Sequence, residues 1–164
     1  MFKELRNILD INNIKMVYFA IIQSILTYGI IVWGSAYKNV LEPLNIVHRI
    51  IVRIILNQYY KEGSNTNELF KILKVLTIEQ LYDKLSITKI YMIKNQYKSQ
   101  NKKITRNTDK GNLKLFKPNT NVIKLFYIYR GIKLFNDLPN NIKLINNKKQ
   151  FKMEIKRWYA RLFH

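Results

Sequence analysis

The feature that most constrains this chain is a run of 22 residues without a charged side chain, from Met16 to Tyr37. A run of this length forms either a helix in a protein core or a helix that crosses a bilayer. Small and polar residues interrupt it, and Ala20, Ser24 and Thr27 recur at helical spacing, which suits close packing against protein. We therefore predict a buried helix over about 14–33. The alternative is a single membrane span over 16–37.

The remaining hydrophobic pattern is mostly helical. Thr77 and Gln80 have the spacing of a capping box, in which each side chain bonds the backbone N–H of the other residue. Further helices are predicted over 3–11, 41–58, 66–75, 77–97 and 148–163. The polar, basic and asparagine-rich residues 98–112 predict an exposed loop.

One segment departs from the helical period. Two short apolar runs, 113–117 and 122–129, are separated by Pro118 and an Asn-Thr-Asn sequence, which is typical of a β-hairpin. The predicted fold class is therefore mainly α, a helical bundle followed by a short β-hairpin and a C-terminal helix. We predict two parts, a helical lobe over 1–97 and a basic α+β tail over 98–164 that packs on it.

The charge of the chain is large and unevenly distributed. Its 29 Lys and Arg outnumber its 10 Asp and Glu, which gives a net charge of +19. Residues 1–82 carry 9 basic and 6 acidic side chains, whereas residues 83–164 carry 20 basic and 4 acidic ones, a net charge of +16. Such an excess favours polyanionic partners. The alternative is that the lysines come from drift toward AT-rich codons and not from selection for binding. Ile, Lys, Asn and Tyr, which such codons encode, make up 77 of the 164 residues.

The sequence offers little for catalysis. Cysteine is absent, and His48 and His164 are the two histidines, so neither thiolate nor histidine-rich metal sites can form. Polymerases and nucleases hold two metal ions with clustered carboxylates, but no two of the four aspartates are adjacent in sequence. Phosphate-binding glycine loops of the G-x-x-x-x-G-K type are also missing. We predict a protein without enzymatic activity, cofactor, metal or small-molecule substrate.

The strongest binding signal lies within 113–133, where cationic and aromatic side chains alternate. Cations can contact phosphates while aromatic rings stack on bases. The basic residues are Lys114, Lys117, Lys124, Arg130 and Lys133, and the aromatic ones are Phe116, Phe126, Tyr127 and Tyr129. The alternative is a pair of amphipathic strands with the aromatic rings inside and the lysines outside.

A second candidate is the pair Arg49 and Arg53, which lie one helical turn apart. Two guanidinium groups at this spacing can contact successive phosphates. The alternative is a solvated helix face on which Arg53 pairs with a carboxylate. For His48, on the same predicted helix, a surface or partly buried side chain is favoured over a phosphate contact.

Three blocks of the sequence resemble one protein family. The stretch Tyr18–Leu56, with LTYGIIVWGSAYKNVLEPLNIVHRIIVRII, is similar to the region after the palm in jockey-like non-LTR retrotransposon reverse transcriptases. The blocks NELFKILKVLTIEQLYDKLSITKIYMIKN and YRGIKLFNDLPNNIK…FKMEIKRWY follow in the family's order and spacing. Phe135 stands where the family usually has tryptophan.

The resemblance implies a thumb-like helical bundle and the region downstream of it, without the fingers, the palm and its paired aspartates. It implies a non-catalytic fragment of an RNA-directed DNA polymerase that holds RNA, an RNA–DNA hybrid or DNA by the backbone. The missing palm and fingers would be its protein partner, and a nuclear or cytoplasmic location is expected rather than a membrane. An inert relic of such an element is the remaining alternative.

Overall fold

A computed structural model describes residues 1–56, 65–100 and 111–161, with the side chains of 97–100 excluded. Helix occupies 77% of these residues and none of them forms a strand, which confirms the mainly α fold. The helices are α1 (Phe2–Ile8), α2 (Ile11–Tyr18), a π-helical turn (Phe19–Gln23), α3 (Ser24–Thr27), α4 (Ile30–Trp33), α5 (Lys38–Ile55), α6 (Thr66–Leu73), α7 (Ile78–Gln100), α8 (Asn121–Leu125), α9 (Tyr127–Asp137), α10 (Asn140–Lys143) and α11 (Lys148–Ala160).

Some predictions lie outside the described residues. They concern the end of the helix predicted over 41–58, most of the polar loop over 98–112, and the last residues of the helix predicted over 148–163. The chain divides into two compact units, Met1–Leu81 and Tyr82–Arg161. The boundary falls within α7, whereas the sequence pattern placed the change from the helical lobe to the basic tail after residue 97.

The first unit is built on apolar faces of α1, α2, α5 and α6. Its buried core contains Phe2, Ile14, Tyr18, Val52, Ile55, Leu56, Leu69, Phe70, Leu73 and Val75. The Arg6 guanidinium donates to the carbonyl of Ile54 at 3.3 Å and so satisfies a carbonyl in the last turn of α5. The predicted capping box is present at the start of α7, where the backbone N–H of Thr77 donates to Gln80 and that of Gln80 donates to Thr77.

The helix predicted over 14–33 is shorter and is interrupted. The first helix begins at Ile11, where the Asp10 side chain accepts a hydrogen bond from the Asn12 backbone N–H. It continues through the π-helical turn and ends at Thr27, the last residue of α3. Gly29 then adopts a left-handed conformation with φ of 64°, which glycine adopts at little cost. The indole N–H of Trp33 donates to the Tyr28 carbonyl at 2.9 Å and so fixes the turn between α3 and α4.

This apolar segment is buried on one side alone. Tyr18, Leu26 and Ile30 are buried, but Tyr28 and Val32 are largely exposed. Further large apolar side chains of the first unit are exposed at Ile21, Ile25, Val40, Ile46, Val47 and Ile50. In the described part of the chain, no helix combines the length and the apolar character that a bilayer span needs.

The second unit packs the larger part of α7 with α9 and α11. The Tyr91 and Phe151 rings stack with their centroids 3.8 Å apart, and Phe135 lies against Phe151 at 6.3 Å. Asn147 caps α11 by accepting from two backbone N–H groups of its first turn. These aromatic contacts form the centre of the unit that carries most of the positive charge.

The predicted β-hairpin over 113–130 is wrong. Residues 121–125 and 127–137 are helical, and 113–117 belong to no regular element. None of the side chains of the run 122–129 is buried, and its end forms the first turn of α9, whose buried positions Gly131, Ile132 and Phe135 follow at helical spacing. The Tyr82 hydroxyl also donates to the Leu125 carbonyl at 2.8 Å, which satisfies the end of α8. Tertiary packing therefore overrides the local preference for a strand.

Candidate nucleic-acid interface

The basic segment 113–117 is held on the second unit by side chains rather than by a partner strand. The amide of Asn136 accepts from the Leu113 N–H and donates to the Leu113 carbonyl, both at 2.8 Å, as a neighbouring strand would. Lys143 is buried, and its ammonium donates to Asn112 at 2.8 Å and to the Asn136 carbonyl at 2.9 Å. Asn112 and Leu113 are thereby fixed against α9 and α10.

Four of the five predicted basic residues of this region are exposed. Lys114 and Lys117 lie on the segment that Asn136 anchors, Lys124 lies on α8 and Lys133 on α9. The Lys124 ammonium contacts Asn121, one turn earlier on the same helix, at 3.0 Å. All four ammonium groups thus belong to one compact unit and lie on its surface, where phosphates can reach them.

Arg130 occupies a different environment from these lysines. Its guanidinium binds the Asp83 carboxylate through two nitrogens and lies 5.6 Å from the centre of the Tyr82 ring. The two ion-paired side chains are 26% and 17% exposed. A bidentate, partly buried pair of this kind joins α7 to α9. The structure therefore gives Arg130 a packing role within the second unit.

Arg49 and Arg53 lie in the first unit, on α5. The Arg49 guanidinium is ion-paired with Glu42 on the same helix, and Arg53 donates to the Thr66 hydroxyl at 3.3 Å at the start of α6. Both side chains are near the surface, and a nucleic-acid role for them stays a prediction. Their neighbour His48 is buried, so a phosphate contact by its ring is excluded in this conformation.

Sequence reasoning missed that Lys84 lies close to Lys156 in the second unit. Burial lowers the pKa of Lys84, and the nearby cationic Lys156 lowers this pKa further. The two residues belong to α7 and α11, which are far apart in sequence, so no local pattern could reveal their proximity.

Tyr18 and His48 form the other notable polar pair, inside the first unit. The Tyr18 hydroxyl and His48 Nε2 are 2.6 Å apart, and both side chains are buried. The two rings are nearly parallel, and Phe70 meets the imidazole edge-on at 4.9 Å. His48 also borders an apolar cavity of about 130 Å³ between α5 and the segment around Leu26. Burial lowers the pKa of His48 to about 4 and raises the pKa of Tyr18.

The lowered pKa of His48 predicts that the first unit loses stability in mild acid. His48 takes up a proton near pH 6.5 in the unfolded chain but near pH 4 in the folded chain. The contribution of neutral His48 to the free energy of unfolding is therefore complete above pH 6.5 and is lost as the pH falls toward 4. Between about pH 7.5 and about pH 5 the free energy of unfolding should fall by about 2 kcal/mol. Urea unfolding at a series of pH values measures this change. His48→Gln should abolish this part of the dependence and Tyr18→Phe should keep it; an equal dependence in His48→Gln would contradict the assignment.

No metal-type cluster accompanies the basic surface in the described ranges, since no three His, Asp or Glu side chains converge there. Comparisons with models of protein families, with curated proteins and with solved structures find no match for this chain. The class that the fold and the surface define is therefore a small helical protein with one strongly basic compact unit.

Proposed function

We propose that this chain is a non-catalytic nucleic-acid-binding piece of an RNA-directed DNA polymerase of the non-LTR retrotransposon type. In this proposal it holds RNA, an RNA–DNA hybrid or DNA through the phosphate backbone, and the chemistry belongs to the palm of such a polymerase. The observation that carries the binding part is the exposure of Lys114, Lys117, Lys124 and Lys133 on a single unit with few acids. The polymerase origin rests on the sequence resemblance.

The first unit supports the second part of the proposal, a protein partner. Ile25, Tyr28 and Val32 are exposed by 67%, 86% and 79%, and apolar side chains of α5 are exposed in the same unit. An apolar surface of this extent is typical of a face that another protein covers. In the proposal the palm and fingers of the polymerase cover it. An inert relic would show the same apolar face but no affinity for nucleic acid.

Replacing the four exposed lysines by glutamine tests the binding part. Each phosphate contact at a solvent-exposed site contributes on the order of 1 kcal/mol or less, so the fourfold variant should bind an RNA–DNA hybrid about a hundredfold more weakly. Fluorescence anisotropy with a labelled hybrid measures this loss. The matched control replaces Lys148, Lys149, Lys152 and Lys156, which are exposed on α11 and remove the same charge.

The control variant should lose far less affinity than the fourfold variant. Equal losses would mean that the net charge alone attracts the nucleic acid, and the assigned surface would be wrong. Unchanged affinity in both variants would contradict backbone binding by the second unit altogether.

A further inference from the structure

The aromatic side chains between the lysines are not inside the second unit. The alternative interpretation of this segment required buried rings, but none of the four is buried: Phe116 is 37% and Phe126 47% exposed, and Tyr127 and Tyr129 are half-buried. Exposed aromatic rings cost solvation free energy and, in a patch of one charge, mark a binding surface.

The rings and cations of this region share one surface. Phe116 and Tyr129 meet edge to face with centroids 5.5 Å apart, which brings the segment 113–117 onto α9. Tyr129 and Lys133 are one helical turn apart on α9 and so lie toward the same side of it, and the exposed Phe126 immediately precedes the first residue of this helix. Lys117 follows Phe116 directly in the chain, and Lys114 precedes it by two residues. We name these six residues the aromatic–lysine surface.

We infer that the aromatic–lysine surface binds single-stranded nucleic acid, with an unpaired base stacked on Phe116 and the adjoining phosphates on the lysines. This inference rests on the proposed function and adds the form of nucleic acid that the surface selects. A duplex presents phosphates but hides its base faces in its own stack, so it would leave Phe116 without a partner. An unpaired base offers a free face, and stacking on a ring is largely independent of sequence. In the edge-to-face contact, Tyr129 covers at most one face of the Phe116 ring.

Two labelled single-stranded probes of equal length and charge test the inference, an oligouridylate and its base-free phosphodiester counterpart. Wild-type protein should bind the oligouridylate about tenfold more tightly than the base-free strand. Phe116→Leu should remove most of this preference while leaving the affinity for the base-free strand unchanged. Phe116→Tyr, which keeps a ring, should retain the preference and guards against a folding artefact, with circular dichroism as the check on helix content.

Leu115→Ala is the matched control, because Leu115 is as exposed as Phe116, at 37%, and has no ring. It should keep the tenfold preference. Equal affinity of wild-type protein for the two strands, or an equal loss in Leu115→Ala and Phe116→Leu, would overturn the inference and leave backbone binding intact. Binding to neither strand while the RNA–DNA hybrid is still bound would overturn the inference alone, whereas loss of hybrid binding as well would overturn the proposed function.

Discussion

Replacing Gly131 by valine is expected to lower the free energy of unfolding of the second unit by about 3 kcal/mol. A Cβ atom at position 131 would lie 2.7 Å from Cγ1 of Ile90 and 3.1 Å from the Ser86 carbonyl oxygen. The second contact is with backbone, so α7 and α9 must separate to make room. Gly131→Ala should cost less, because alanine adds one carbon and raises the helix propensity of the position by about 1 kcal/mol.

Chemical unfolding of the full chain, followed by circular dichroism, measures this effect. Ser86→Ala is the control, because Ser86 lies across the same helix contact. Its hydroxyl is buried and has no hydrogen-bond partner among the described residues. Removing the hydroxyl should therefore leave the free energy of unfolding unchanged or slightly raised. In an Ile90→Ala background the cost of Gly131→Ala should shrink, because the closest atom is gone. A Gly131→Val protein as stable as the wild type would show that the two helices do not approach in this way.

Replacing Arg130 by alanine is expected to destabilise the second unit by about 3 kcal/mol. The change leaves the Asp83 carboxylate partly buried, 17% exposed, without its bidentate partner. It also removes the guanidinium from the Tyr82 ring, whose hydroxyl bonds the end of α8. Arg130→Lys should restore part of the stability, because it keeps the charge but loses the planar fork.

Lys133 gives the matching comparison, since it is exposed and lies on the same helix, one turn further on. Lys133→Ala should change unfolding by less than about 0.5 kcal/mol and weaken nucleic-acid binding. Arg130→Ala should do the reverse under conditions in which it remains folded. If Arg130→Ala weakens binding as much as Lys133→Ala and leaves stability unchanged, Arg130 belongs to the interface instead of the core.

Helices with strong local signals were predictable from the sequence. The capping box depends on Thr77 and Gln80 alone, and both of its hydrogen bonds are present in the structure. The helix around Phe151 follows the 3.6-residue period, and Phe151, Ile155 and Tyr159 are its buried positions. In each case the information lies within a few residues of the chain.

Features that depend on distant partners were not predictable. The segment 113–117 has the composition of a strand, but its backbone bonds go to the Asn136 amide, 23 residues away from Leu113. The end of regular helix at Thr27 depends on the left-handed Gly29 and on the bond from Trp33 to the Tyr28 carbonyl. A long apolar period extends through that turn, so hydropathy alone predicts one continuous helix.

In the candidate site, too, features with a local signal were predictable and features that depend on distant partners were not. Exposure of Lys114, Lys117, Lys124 and Lys133 agrees with their polar character, but no local signal separates Arg130 from them. Its partner Asp83 is 47 residues away in the chain. Several residues that carry the sequence resemblance are packing residues here: Gly131 permits the close approach of two helices, and Phe135 and Leu138 are buried. The exposed lysines and aromatic rings between these packing residues are the side chains that nucleic acid can contact.

The salt dependence of binding tests the central claim, contact between the basic unit and a phosphate backbone, most directly. Affinity of the full chain for an RNA–DNA hybrid is measured by anisotropy over a series of salt concentrations. Four lysine–phosphate contacts predict a log–log slope of about −3 to −4, from roughly 0.9 per contact. The fourfold lysine variant should have a slope near zero, and the hybrid's sequence should not matter. A wild-type slope near zero, or one that the variant leaves unchanged, would contradict backbone binding by these lysines.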